Sequence, residues 1–209
     1  DGSAVVVSTQ HLWTVDLPSY ARTGVKNTRT KWEQKTIDTD ELAREVARSA
    51  RTKTRPFPTL PVVPIQGEFV QLPTSPYALG AWLGDGTTAS NQITASTDDA
   101  AAMQENLEAC GHTVTRCRHT NAVTLRIDPG VAGKRGSSPF SAALRTLGVY
   151  RKKHIPAQLL RMSFTQRLEL LQGLMDTDGS CSKTHSQCLF TAANVELAYG
   201  VYALCQSLG

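Results

Sequence analysis

At 209 residues, with 40% hydrophobic but only 6% aromatic side chains, the chain has enough apolar material for the core of a mixed α/β protein of one or two domains. The formal net charge is +4, and residues 21–55 hold ten Lys or Arg against five Asp or Glu, so that stretch is a candidate phosphate-contacting arm. There is no apolar run of about eighteen residues and no basic-then-apolar leader, which predicts a cytoplasmic protein with no membrane partner. The five cysteines do not read as a disulfide framework.

In chain order, residues 5–15 read as a strand, with Ser8 and His11 set among apolar neighbours. Residues 37–48 read as a helix with Thr39 as its N-cap. Pro56, Pro58, Pro61 and Pro64 predict an extended linker or edge segment, and the composition places a domain boundary near Pro73. A first helix over 77–86 is followed by alternating polar residues at 87–96 and a helix at 98–110 with Ala102, Leu107 and Ala109 among its apolar positions. Strands follow at 113–119 and 122–128, the second with Val123, Leu125 and Ile127 on one face and Thr124 and Arg126 on the other. Asp128, Pro129 and Gly130 turn the chain into a helix beginning at 140–147. The remainder reads as a helix over 165–178, strands at 180–183 and 187–191, and a helix over 195–208.

Two of these helices share one design. YALGAWLGDG (77–86) and LLQGLMDTDG (170–179) are apolar runs at helical spacing with an internal glycine, and both close on Asp-Gly. Gly80 and Gly84, four apart, leave a strip without side chains along which a second helix can approach, and Gly173 repeats the position of Gly80. Glycine inside a helix costs about 1 kcal/mol against alanine, so close packing is the physical reason to keep it. Gly86 and Gly179 read as left-handed helix ends, leaving Asp85 and Asp178 at the negative pole of each helix dipole. Two converging carboxylates there predict a site for a hard cation.

These residues resemble the LAGLIDADG homing endonucleases: residues 78–86 and 171–179 align with the nine letters of the motif, the second more closely. Lys153, Ile155 and Pro156 look like the Lys-x-Ile-Pro segment between the two motifs of intein-borne members, and residues 75–86 look like inteins of replicative DNA helicases. Residues 5–15 are similar to the Thr-x-x-His splicing block, with Ser8 in the threonine position and His11 as the histidine. The resemblance implies an α/β (α+β) fold of two αββαββα repeats, at 73–164 and 165–209. The second repeat stops short of its last two strands and helix. A partial β-rich splicing (Hint) domain with its basic arm and linker occupies 1–72. Because the chain starts at Asp1 and stops at Gly209 without the junction residues of splicing, it reads as an interior piece of an intein.

The function so implied is a monomeric, site-specific endonuclease that breaks both strands of DNA at a long target in the intein-free allele, within a host protein that flanks it in the precursor. Asp85 and Asp178, with Gly84 and Thr177 beside them, would hold two or three shared Mg²⁺ ions, and Lys153 would stabilise charge on the phosphate. Lys183 is a weaker candidate for the second site, with no motif behind it. Thr88, Ser90, Gln92 and Thr94 on one strand, with Arg116, Arg118 and Arg126 on its neighbours, would read DNA bases. His11 would polarise the upstream scissile amide. The alternatives are a DNA- or RNA-binding module of the same fold without cleavage, and a splicing element with a decayed nuclease. Cys110, His112, Cys117 and His119 have poor chelate spacing with arginines between them, so no zinc is expected. No Gly-x-x-x-x-Gly-Lys-Ser/Thr occurs, so the ATP-binding loop of a helicase motor is absent from this sequence.

Overall fold

The computed structural model describes residues 5–20, 30–52, 55–130, 138–182 and 187–209. Helices alternate with short antiparallel strand sets, an α+β arrangement. Among the described residues no helix is long and apolar enough to cross a membrane. The chain divides into two compact units, Asp1–Val63 and Pro64–Gly209.

In the first unit, β1 (Leu12–Tyr20) and β2 (Thr30–Asp38) form an antiparallel pair in register from Leu12↔Asp38 to Tyr20↔Thr30. The strand anticipated at residue 5 therefore begins at Leu12. Helix α1 (Thr39–Arg51) starts two residues later than expected, because Ile37 pairs with Trp13 in the sheet and is buried. Its N-cap is Asp38, whose carboxylate accepts the Glu41 amide at 2.7 Å, and not Thr39. The Thr39 hydroxyl instead accepts from Trp13 Nε1 at 3.0 Å and donates to the Ser8 carbonyl at 2.9 Å. The proline-rich segment is extended, and Thr59 exchanges backbone hydrogen bonds with Asp16 at 2.8 and 3.1 Å.

The second unit runs α2 (Pro76–Asp85), β3 (Gln92–Ala95), α3 (Ala100–Ala109), β4 (Val114–Arg118), β5 (Val123–Ile127), α4 (Pro139–Thr146), a 3-10 turn (Ala157–Arg161), α5 (Phe164–Asp178), β6 (Gly179–Ser182), β7 (Gln187–Phe190) and α6 (Val195–Leu208). β3, β5 and β4 form a sheet with β5 in the centre, and β6 pairs with β7. The αββαββα pattern anticipates two strands between α2 and α3, whereas among the described residues only β3 forms. The other is reduced to a bridge between Gly86 and Ile93 and one bond from Thr87 N to Gln92 O at 2.8 Å. The cause is a tight turn at 87–91, pinned by Trp82 Nε1 donating to Ser90 O at 2.8 Å.

The core lies where α2 meets α5 and the inner face of the sheet. Trp82, Leu83, Ile93, Leu125, Ile127, Leu170 and Leu174 are fully buried there. On α3 the inward positions are Ala100, Met103 and Leu107; Ala102 and Ala109, expected to be apolar contacts, are exposed. Residues 64–72 belong to this unit although the sequence set the boundary near Pro73. Ile65 N bonds Ser207 O at 2.9 Å, and the Gln166 amide holds both backbone groups of Val70, at 3.0 and 2.7 Å. Arg167 is wholly buried, its guanidinium donating to the carbonyls of Ser207 and Ile65. A cation at the last turn of α6 is favoured by the helix dipole.

Candidate functional site

The two motif helices cross at their glycines. A Cβ on Gly80 would stand 2.2 Å from Leu170 O, and one on Gly173 would stand 2.2 Å from Tyr77 O and 2.7 Å from Ala81 N. Each helix thus brings its glycine onto the other's backbone, and no larger residue permits that approach. One turn further, the strip is asymmetric: Gly84 faces the Thr177 side chain, whose Oγ1 lies 2.0 Å from where a Cβ would be. Gly86 and Gly179 are not left-handed. Both are extended, with φ of −71° and −93°, and they are glycine because a Cβ would fall 2.3 Å from Trp82 O and 2.4 Å from Met175 O respectively.

This crossing delivers Asp85 and Asp178 to one place, each the last residue of its helix. The Asp178 carboxyl is pushed above its ordinary range, first by burial and then by the charge and hydrogen bonding of Asp85; Lys153 opposes the shift. Lys153 donates its ammonium proton to the Gly84 carbonyl and lies 5.4 Å from the Trp82 ring centroid. Burial lowers the Lys153 pKa, while Asp178 and Asp85 hold it up. The backbone that carries this lysine is fixed on both sides. Arg151, at φ +67°, donates its amide to Thr88 O at 2.8 Å, the Tyr150 hydroxyl bonds Ala89 O, and Asn194 Nδ2 bonds Lys153 O at 2.7 Å. Ile155, two residues on, is buried against Gly200 of α6. Lys152, by contrast, is exposed and paired with Glu196 at 3.1 Å.

Two adjoining carboxylates, the charge of Asp85 raising the cost of ionising Asp178, with only oxygen donors, suit a hard divalent cation such as Mg²⁺. Among the described residues no group of three or more His, Cys, Asp or Glu converges, so such an ion would complete its shell with water or substrate oxygens. Gly84 and Thr177 offer less than the sequence suggested. The Gly84 carbonyl is engaged by Lys153, and the Thr177 hydroxyl bonds the Gly173 and Leu174 carbonyls at 3.2 and 2.9 Å.

Strand register settles which side chains share the outer face of the sheet. Ile93, Val123, Leu125 and Ile127 point inward, so Gln92, Thr94, Thr124 and Arg126 point outward, with Gln92 opposite Arg126 and Thr94 opposite Thr124. On β4 the outward residues are Thr115 and Cys117, opposite Arg126 and Thr124. Arg116 and Arg118 pair with Leu125 and Val123 and so lie on the helix-covered side, where Arg116 bonds Gln104 of α3. The expected reading face therefore loses these two arginines and gains Thr115, Cys117 and Thr124, since one residue of register exchanges the faces. Thr88 and Ser90 sit in the turn before β3, not on the strand.

The histidine–cysteine cluster is dispersed: His112 bonds Asp128 at 2.8 Å and the Thr74 and Ser75 hydroxyls, while His119 bonds Thr124 across the sheet at 3.2 Å. In the first unit, Ser8 and His11 share one exposed turn, His11 N bonding Ser8 O at 3.1 Å and its ring lying edge-on to Trp13. Three of the six described basic residues of the 21–55 stretch are ion-paired, Arg48 and Arg55 with Glu45 and Lys35 with Glu33. Residues 21–29 and 53–54 of the arm, and Lys183, lie outside the described residues. Trp82 both backs Lys153 and pins the 87–91 turn, roles that its place in an apolar run does not disclose; its position one turn before Asp85 is the sequence signal for them.

Over 134 residues, 64% of its length, the chain is 40% identical to a protein named replicative DNA helicase DnaB from Mycobacterium intracellulare. The chain spans 19% of that relative's length. No protein-family profile matches it. The protein is thus similar to one segment of a DnaB chain.

Proposed function

We propose that the protein is part of an intein carried by a replicative DNA helicase, and that the α2–α5 site is a LAGLIDADG-type endonuclease centre cutting both strands of DNA. The observation that carries this is the juxtaposition of Asp85, Asp178 and Lys153 at the foot of two glycine-packed helices. The likeness to a fifth or less of a helicase chain, by a sequence with no ATP-binding loop, supports an inserted element over the motor itself.

Asp85 and Asp178 would hold Mg²⁺, which when bound supplies Lewis-acid polarisation of the phosphodiester and a more acidic water. The remaining roles fall to the chain's own side chains. Lys153, held by Gly84 and backed by Trp82, offers its remaining protons to a non-bridging phosphate oxygen as charge builds there. Gln92, Arg126, Thr94, Thr124 and Thr115 present hydrogen-bonding groups from one sheet face to base edges in a major groove.

The test is cleavage of a plasmid bearing the helicase gene with its insertion point rejoined, by the intact intein in Mg²⁺ or Ca²⁺. The proposal expects linear product in Mg²⁺, its loss in both Asp85→Asn and Asp178→Asn, and a drop of about 100-fold in Lys153→Met. Equal cutting by the wild type and both aspartate variants would overturn it, as would binding without cutting in any metal.

A further inference from the structure

The β6–β7 hairpin carries chemistry that the proposed cleavage does not use. Cys181 of β6 and Cys188 of β7 are directly opposite in the register, both are exposed free thiols, and their sulfurs lie 2.7 Å apart. The bond from Thr191 N to Asp178 O, just outside the hairpin, fixes its alternation: 178 and 191 are a hydrogen-bonded pair, so 181 and 188, three residues further along each strand, are a non-bonded pair. At such a position Cα atoms are about 4.5 Å apart, within the span a disulfide bridges without moving the backbone. Cys117 faces Thr124 across its own sheet, so it has no such thiol partner on its neighbouring strand.

We propose that Cys181 and Cys188 are a thiol–disulfide couple, closed by exchange with a small-molecule disulfide of the glutathione class and reopened by excess thiol. The thiolate of one cysteine attacks the small disulfide, forming a mixed disulfide and releasing one small thiolate. The second cysteine, deprotonated, attacks the protein sulfur of that mixed disulfide, forming the Cys181–Cys188 bond and releasing the second small thiolate. One S–S bond forms and one breaks, and the two protein protons end on the two small thiols. The hydrogen bond and charge of Cys188 raise the cost of ionising Cys181, and that cost disappears on closure. Exposure leaves the couple open to both oxidant and reductant, as befits a labile and not a structural disulfide. The closed form would clamp the hairpin that begins at Gly179, directly after Asp178.

The experiment treats the reduced protein with excess glutathione disulfide, blocks remaining thiols, and digests with trypsin without reductant. Lys183 lies between the two cysteines in the sequence, so cleavage after it leaves two peptides that only a disulfide can hold together. The proposal expects loss of two of the five thiols, loss of two hydrogens in intact mass, and a linked peptide pair. The peptide with Cys188 also carries Cys205, so the link must survive Cys205→Ser and vanish in Cys188→Ser and Cys181→Ser. A link that follows Cys205, or stable glutathione adducts with no linked pair, would overturn the proposal. The measurement on the parent protein stands alone even where a variant folds poorly.

Discussion

In α2 every residue from Pro76 to Leu83 is buried, whereas α5 buries Gln166, Arg167, Leu170, Gly173 and Leu174 and leaves Phe164, Leu168, Gln172 and Asp176 exposed. α2 leads into a sheet backed by α3; α5 leads into a two-stranded hairpin that is almost wholly exposed. Yet at the crossing the helices are interchangeable, Gly80 on Leu170 and Gly173 on Tyr77. The lesson is that the shared motif specifies the crossing and the meeting of the two aspartates, while everything beyond one turn depends on what each half packs against.

The symmetric part of that comparison is broken most severely by size. Gly173→Leu and Gly80→Leu should each destabilise by about 3 kcal/mol or more, because the clash is with backbone that cannot rotate away. Urea unfolding of the second unit checks this; a loss near zero for either would show that the helices part without cost.

A smaller effect sharpens the asymmetric part. In Gly84→Ala the new methyl meets the Thr177 hydroxyl, a side-chain tip, so the loss should be nearer 1 kcal/mol and should shrink when Thr177→Ala is added. A double-mutant cycle with no coupling would mean that Thr177 is not what Gly84 accommodates.

The smallest effect is electrostatic and depends on pH. Because burial and Asp85 raise the folded pKa of Asp178, the folded state binds that proton more tightly than the unfolded one. Its stabilisation is complete below the unfolded carboxylate range and is lost as pH rises through the raised value. Asp178→Asn should therefore be the more stable protein near neutral pH, by at most about 1 kcal/mol given solvent access to the group, and the gap should close on acidification. If the variant proves less stable at neutral pH, the attraction of Lys153 outweighs the other two effects.

Some of this was legible before any tertiary contact. Internal glycines at matched positions predicted close packing, and Asp-Gly endings predicted the helix feet, because both depend on local sterics and helix periodicity. The extent of α6, Val195–Leu208, agrees with its apolar spacing to the residue. The same local reasoning misassigned Gly86 and Gly179, whose glycine requirement comes from i−4 crowding by Trp82 and Met175 and not from a positive φ. It also placed Arg116 and Arg118 outward, since β4 has no buried alternation of its own to reveal its parity.

The sequence by itself determined that two helices of one design exist, that each can admit a neighbour at a glycine, and that each ends in a carboxylate. The motif resemblance pointed to Lys153, sixty-eight residues after Asp85 in the chain (153 minus 85), but only the tertiary structure put it beside both carboxylates, because its place is set by bonds to the 87–91 turn and to Asn194. Likewise, only strand pairing brought Cys181 against Cys188 and turned Thr115 to the side of Arg126. Periodicity along one element is written in that element's own residues; register and proximity are properties of a pair, and a pair is defined only when both partners are packed.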